Sequence, residues 1–288
     1  MDVIAIATLF NPDDSCVVNM MEIAKQSTWL YIYDNSYCDH KYKFIDMDNI
    51  KYYHSGNNLG LSKAFNFILN EITDQSEDDK YIIFFDQDTR IHPSHINRLC
   101  DEYARLIECN ENVGILAPIY IEEENSVKQI PKKYQILNSN SIRVKQVITS
   151  SMLTKLSVLK SLGGWNGDIF LDMADWDLCW RARYHGYTCV LTNASYINHK
   201  VGKNMKKTIF GWMNIWEPYR SYYQLREIIK NLFLNYVPYN ERIVIFFRCI
   251  INNILSVIME KNKIKRIKYM LHGIVDAIQG YNGPIRMK

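Results

Sequence analysis

Asp86 and Asp88 close the run YIIFFDQDTRI, two carboxylates directly after five apolar or aromatic side chains. Acids beside such a run are costly unless something compensates them. At i and i+2 in a turn, both can approach one small site. Oxygen-rich pairs suit Mg²⁺ or Mn²⁺, above all when a diphosphate completes the shell. A cation so held neutralises charge on a phosphate leaving group. The plainer alternative is a pair of turn-capping acids.

A second acidic group lies in FLDMADWDLCWRARYHG. On a helix Asp172 and Asp175 share a face, whereas Asp175 and Asp177 do not, so one projects differently or the segment begins as a loop. A carboxylate among Phe, Leu, Met and Trp is partly desolvated, which raises its pKa and suits it to act as a general base. The alternative is a helix cap, with Arg181 and Arg183 neutralising the remaining acids.

In GNNLGLSKAFN, Gly56 and Gly60 allow tight backbone geometry. Lys63 can reach phosphate, and Asn58 and Asn66 can hydrogen-bond a base or ribose. The stretch is neither GxGxxG nor a Walker loop. His199, after a strand, is a metal or diphosphate contact or a structural histidine. In YRSYYQLREIIKN, Tyr219, Tyr222, Tyr223 and Arg226 form one aromatic-basic helical stripe, with Arg220 beside it. That stripe lines an acceptor or phosphate channel or packs the helix beneath it.

The elements that position these residues alternate. VIAIATL, TWLYIYDNS, IKYYHSGNN, KYIIFFDQD and NVGILAPIYI read as strands. CVVNMMEIAKQS, LSKAFNFILNEI and HPSHINRLCDEYARLIEC read as helices. This order predicts an α/β fold, a mostly parallel central sheet flanked by helices. Such sheets bind ligands outside the carboxyl ends of their strands. Polar residues gather at those ends: Thr8 to Asn11, Asp34 and Asn35, Gly56 to Gly60, and Asp86 with Asp88. Beyond residue 120 the pattern is less regular, with a hairpin over 122–141, a strand and helix over 144–165, and another strand before His199.

Composition is that of an ordinary globular chain, 288 residues with 48% hydrophobic and 23% charged. Seven scattered cysteines, none in a CxxC pair, predict free thiols and a reducing cytoplasmic setting, and no secretory leader is expected. Charge is segregated. Residues 1–199 carry 18 Lys/Arg against 26 Asp/Glu, a balance of −8, and residues 200–288 carry 16 against 5, a balance of +11. The last third is therefore the part that meets polyanions. Arg248 interrupts its apolar run, so a helix lying on an anionic membrane is expected rather than one spanning it, or else packing on a second subunit.

Taken in order, TLFNP, YDNS, NNLGLSKAFN, FFDQD, GGWNGDIFLDMADWDLCWRARYHGY, NHKVG and YRSYYQLRE resemble the nucleotide-sugar-dependent glycosyltransferases of family 2, over about residues 4–226. The closer likeness is to bacterial rhamnosyltransferases of cell-surface glycan assembly. The resemblance implies a GT-A-like domain over 1–226, a helical basic C-terminal region over 227–288, and an inverting mechanism. It implies a dTDP-L-rhamnose donor bound by Thr8, Asp34, Asn35, Asn58, Gly60, Lys63, Asn66 and Asp86. Asp88, helped by His199, would hold Mg²⁺ or Mn²⁺, and Asp175 would be the base. Asp172, Trp176, Tyr219, Arg220, Tyr223 and Arg226 would face the acceptor or phosphate.

The implied acceptor is a glycan or lipid-linked saccharide, at the cytoplasmic face of the plasma membrane. Two departures stand out: Ala174 precedes Asp175 where the family often has Glu, and Arg226 is followed by Glu227 where Asn is common. A nucleotidyltransferase would also use paired acids, but TLFNPDDS lacks its glycine-rich loop. No RNP, zinc or helix-turn-helix signature supports nucleic-acid binding.

Overall fold

A computed structural model describes residues 2–44, 47–73, 79–122, 128–199, 205–208, 211–214 and 216–286. Its centre is a nine-stranded sheet. β1 (Val3–Leu9), β2 (Trp29–Asp34), β3 (Ile50–His54) and β4 (Tyr81–Asp86) form its N-terminal half. They lie parallel in the order β3-β2-β1-β4, as the alternating pattern predicts. The helices that return the chain are α1 (Asp14–Ala24), α2 (Leu61–Thr73) and α3 (His95–Glu108).

β5 (Val113–Glu122) does not join β4 directly. β8 (Met152–Lys155) lies between them, antiparallel to both, after the short hairpin β6 (Gln135–Ile136) and β7 (Ser141–Val144). β9 (Thr188–His199) pairs parallel with β5, and β7 antiparallel with β9. The parallel half is therefore extended by a mixed half.

Residue alternation explains the two covered faces. Ile4, Ile6, Ile82 and Phe84 point to one side, under α2, α4 (Leu156–Leu162) and α5 (Ala174–Tyr184). Ala5, Ala7, Ile83 and Phe85 point to the other, under α1 and α3. Small alanines on β1 leave room for Met20, Leu99 and Tyr103 beneath them. Burying each large side chain contributes roughly 1.5–3 kcal/mol, which fixes β4, the strand that ends in the acids, in the middle of the sheet.

After a two-stranded ribbon, β10 (Met205–Thr208) and β11 (Gly211–Asn214), the chain is helical: α6 (Pro218–Asn231), α7 (Tyr239–Met259) and α8 (Lys263–Ile278). Leu225 and Ile228 of α6, Leu232 just after it, and Ile245 and Cys249 of α7 pack against Trp180 of α5. The Trp180 indole N–H donates to Glu241 at 2.9 Å, and Arg183 pairs with the same carboxylate at 3.0 Å. α7 is thereby fastened to α5.

Candidate active site

The parallel register sets the carboxyl ends level: Thr8 lies opposite Asp86, Leu9 opposite Asp34, and Asp34 opposite His54. A cavity of about 1120 Å³ opens over these ends and runs to α6 and α7. Among the residues singled out from the sequence, Thr8, Asn35, Asn58, Gly60, Asp86 and Asp88 line its sheet end. Asp172, Asp175, Trp176, Tyr219, Arg220 and Tyr223 line its helical end. Residues up to 215 positions apart thus share one space, which sequence spacing alone does not reveal.

At the sheet end, Asn35 holds the glycine loop. Its side-chain oxygen accepts from the Leu59 N–H at 2.9 Å, and the Asn58 oxygen accepts from the Gly60 N–H at 2.9 Å. Gly60 has φ +78°, and a Cβ there would sit 2.5 Å from the Phe170 carbonyl oxygen. The neighbouring Leu61 N–H donates to that oxygen at 2.7 Å. Gly60 therefore lets the loop before α2 touch the segment that leads into Asp172 and Asp175. Gly60→Ala is expected to destabilise the protein by about 2–4 kcal/mol, measured by denaturant unfolding, because positive φ and a backbone clash act together.

Asp86 accepts a hydrogen bond from the Ser150 hydroxyl, and Asp88, two residues further, is exposed in the cavity. Among the described residues no three His, Cys, Asp or Glu side chains converge into a metal cluster. The donor set still fits a hard divalent cation. Mg²⁺ and Mn²⁺ commonly take one or two carboxylates and complete their shell with diphosphate oxygens and water. The side chain of His199 lies outside the described residues. The backbone of Asn198 bridges Arg90, which brings the end of β9 beside the turn carrying Asp88.

α5 starts only at Ala174, so Asp172 stands in the preceding loop and Met173, at φ 71°, turns the chain into the helix. Of the two alternatives the spacing left open, the segment begins as a loop, and both Asp172 and Asp175 reach the cavity. Burial pushes the Asp172 carboxyl up, against the pull of Arg220, which stands 3.7 Å away. Burial pushes Asp175 up to about 7, with the charges of Asp86 and Asp172 adding to it. Asp177 is different: it is buried, with Arg181 donating at 2.7 Å and the Asn166 amide at 3.2 Å, and it braces α5.

Four expected contacts are corrected. Asp34 has 0% of its surface exposed. Its carboxylate accepts from Ser36, His40 and Tyr52, so it organises the β2 terminus rather than facing the cavity. Burial opposes its ionisation, but those hydrogen bonds outweigh burial and hold its carboxyl below the usual range. Both ends of the Asn66 amide are engaged by the Trp165 backbone at 2.8 Å. Lys63, next to it on α2, is exposed and does not line the cavity.

Arg226 is fully buried. Its guanidinium donates to Glu227, the Tyr222 hydroxyl and the Gly283 carbonyl. The departure from Asn at position 227 therefore has a structural meaning: Glu227 is the counter-ion of Arg226 and also accepts from the Phe170 N–H at 3.3 Å. Breaking such a buried pair costs about 3–5 kcal/mol.

Several lining residues lie outside the expected contact set: Ser150, Phe170, Arg248, Asn252 and Ile285. Phe170 stacks on Tyr223 with ring centroids 5.1 Å apart, and Arg220 lies over the Trp216 ring at 4.7 Å. The helical end thus offers aromatic faces and two cations, Arg220 and Arg248, groups suited to a saccharide and to phosphate.

The sheet and its flanking helices have a GT-A-like architecture, and residues 30–150 match the model described as "Glycosyl transferase family 2". That likeness covers the chain from β2 through the β6–β7 hairpin. The chain is similar to "dTDP-rhamnosyl transferase RfbF" of Shigella flexneri, at 25% identity over 98% of this chain and 97% of that one.

Two solved structures share the fold. "GalNAc-T7 with UDP, GalNAc and Mn2+" superposes with a TM-score of 0.56 at 11% identity, over 98% of this chain and 59% of that one. "S. aureus TarS 1-349 in complex with UDP-GlcNAc" superposes with a TM-score of 0.57 at 14% identity, over 97% of this chain and 81% of that one. The chain thus spans about three fifths of the GalNAc-T7 structure.

Proposed function

We propose that the protein is a metal-dependent inverting glycosyltransferase that moves L-rhamnose from dTDP-β-L-rhamnose to a hydroxyl of a glycan or lipid-linked saccharide. The observation that carries this reading is the placement of Asp175, at a pKa of about 7, in the same cavity as Asp86 and Asp88. A carboxylate at that pKa is matched to removing a proton at neutral pH. The likeness to a dTDP-rhamnosyl transferase along nearly the whole chain supports the choice of donor.

In this reading Thr8, Asn35, Asn58, Gly60 and Asp86 receive the nucleoside and ribose. Asp88, with His199, holds Mg²⁺ or Mn²⁺, which supplies charge neutralisation for the departing diphosphate. Asp175 takes the proton of the acceptor hydroxyl. The acceptor oxygen forms the new bond to the anomeric carbon, the carbon–oxygen bond to the diphosphate breaks, and the nucleoside diphosphate leaves with that electron pair. Asp172 and Arg220 orient the acceptor, while Trp176, Tyr219 and Tyr223 give its sugar apolar faces to rest on.

Residues 1–226 act as the catalytic domain and 227–288 as a helical region holding it at the cytoplasmic face of an anionic membrane. A screen of dTDP- and UDP-sugars by nucleoside diphosphate release, with and without Mn²⁺, tests the reading. Release from dTDP-L-rhamnose that rises at least tenfold with cation is expected. Turnover confined to a UDP-sugar contradicts the donor, and pyrophosphate release from a nucleoside triphosphate contradicts sugar transfer.

A further inference from the structure

α7 and α8 are built the wrong way round for helices facing water. The inner face of α7 buries Glu241, Cys249, Asn253 and Ser256 along with Ile245. Its outer face exposes Ile243, Val244, Phe247, Ile251, Ile254 and Ile258. At 100° per residue these six fall within one stripe opposite the buried one. α8 repeats the arrangement: Arg266, Gly273 and Asp276 are buried, while Ile264, Ile267, Leu271, Val275 and Ile278 are exposed. Ile264 and Ile278 are 74% and 77% exposed. Gly273 faces the Tyr222 carbonyl, where a Cβ would come within 2.5 Å, so α8 cannot roll its apolar stripe inward.

α7 has the length and composition of a spanning helix, 21 residues with a mean hydropathy of 1.8, despite the charge of Arg248. A span is nevertheless inconsistent with its packing. Lipid would have to replace Trp180 and Arg183 around Glu241, leaving a carboxylate unpaired in hydrocarbon. Lying in the interface satisfies both faces at once.

We infer that the outer faces of α7 and α8 form the surface that docks this protein on an anionic bilayer, with both helices in the membrane plane. This inference deepens the membrane location proposed above and names the side chains that make it. Charge selects the occupant. Lys261, Lys263, Lys265 and Lys268 are exposed at the junction of the two helices and the start of α8, beside the apolar stripes. Headgroups bearing negative charge complement them, whereas a second copy of the same face would bring lysines against lysines.

The docking face is also continuous with the site. Arg248 and Asn252 follow Phe247 and Ile251 directly and line the catalytic cavity. The cavity therefore opens at the edge of the membrane-facing stripe, where an acceptor anchored in lipid can reach Asp175 without leaving the bilayer.

The test is flotation of the full chain with vesicles of phosphatidylcholine, with and without phosphatidylglycerol, at about 0.1 M salt, where surface charges are still felt within roughly 10 Å. Binding to the anionic vesicles is expected, and little to the neutral ones. Lys263→Gln, Lys265→Gln and Lys268→Gln together should lower the anionic partition about 100-fold, at about fivefold per lysine. Ile254→Glu with Ile267→Glu should abolish it.

All these positions are exposed, so unchanged circular dichroism is expected. Donor turnover with a water-soluble acceptor should also be unchanged, and it reads the glycosyltransferase proposal separately. Variants that float as the parent does overturn the inference. So does a parent that ignores anionic vesicles, or that sediments as a dimer lost on Ile254→Glu.

Discussion

Asp175→Asn is expected to lower kcat for sugar transfer by about 10³-fold while leaving donor affinity, read by calorimetry, within about twofold. General-base removal costs typically 10²–10⁴. The amide keeps the shape of the site, so substrates still bind. The parent enzyme should show kcat/KM rising with unit slope up to a pH of about 7 and then levelling, because only the ionised carboxylate accepts the proton.

The same residue makes an opposite prediction for stability. Its carboxyl titrates near 7 in the folded chain, against an ordinary value of 3.8. The folded state therefore holds this proton more tightly than the unfolded state. Stability from this group is greatest at low pH, falls as pH rises from about 4 to 7, and stays reduced above 7. At about 1.4 kcal/mol per pKa unit, and allowing for water in an open cavity, the cost is on the order of 2–4 kcal/mol. Asn carries no such charge. The inactive variant should therefore be the more stable protein at pH 8 and nearly equal to the parent at pH 4. Loss of activity accompanied by loss of stability at pH 8 would mean that Asp175 braces the fold instead.

Asp88→Asn should act at the other end of the cavity. Its side chain is exposed, so the thermal midpoint should move by little. Metal-stimulated donor turnover should fall by at least about 10²-fold, because a charged ligand to a hard cation is replaced by a neutral one. Residual turnover should no longer respond to Mn²⁺. A variant that keeps full Mn²⁺ stimulation would move the cation to other ligands.

Much of this was legible in the chain, for identifiable reasons. A strand buried on both faces reads as an unbroken apolar run, so Ile82 to Phe85 announced a central strand and Asp86 its end. Alternating strands and helices announced the parallel half of the sheet. β8 was legible as a strand but not as an antiparallel neighbour of both β4 and β5, since partner choice depends on which edges the folded chain leaves open.

Asp34, Asn66 and Arg226 have residue types that bind ligands as readily as they brace loops. Only the positions of Tyr52, Trp165 and Glu227 in space decide between the two. Ser150 and Ile285 reach the cavity from segments with no motif at all. α7 read as apolar with a charge in it, but that its polar residues face inward could not be seen before α5 and α6 were placed against it.

The central claim is a single displacement at the sugar carbon with Asp175 as base, and the product's stereochemistry tests it most directly. Proton NMR of the glycoside formed by the parent enzyme from dTDP-β-L-rhamnose should show an α linkage, the configuration opposite to that of the donor. A β linkage would require two displacements or front-face attack and would contradict the account.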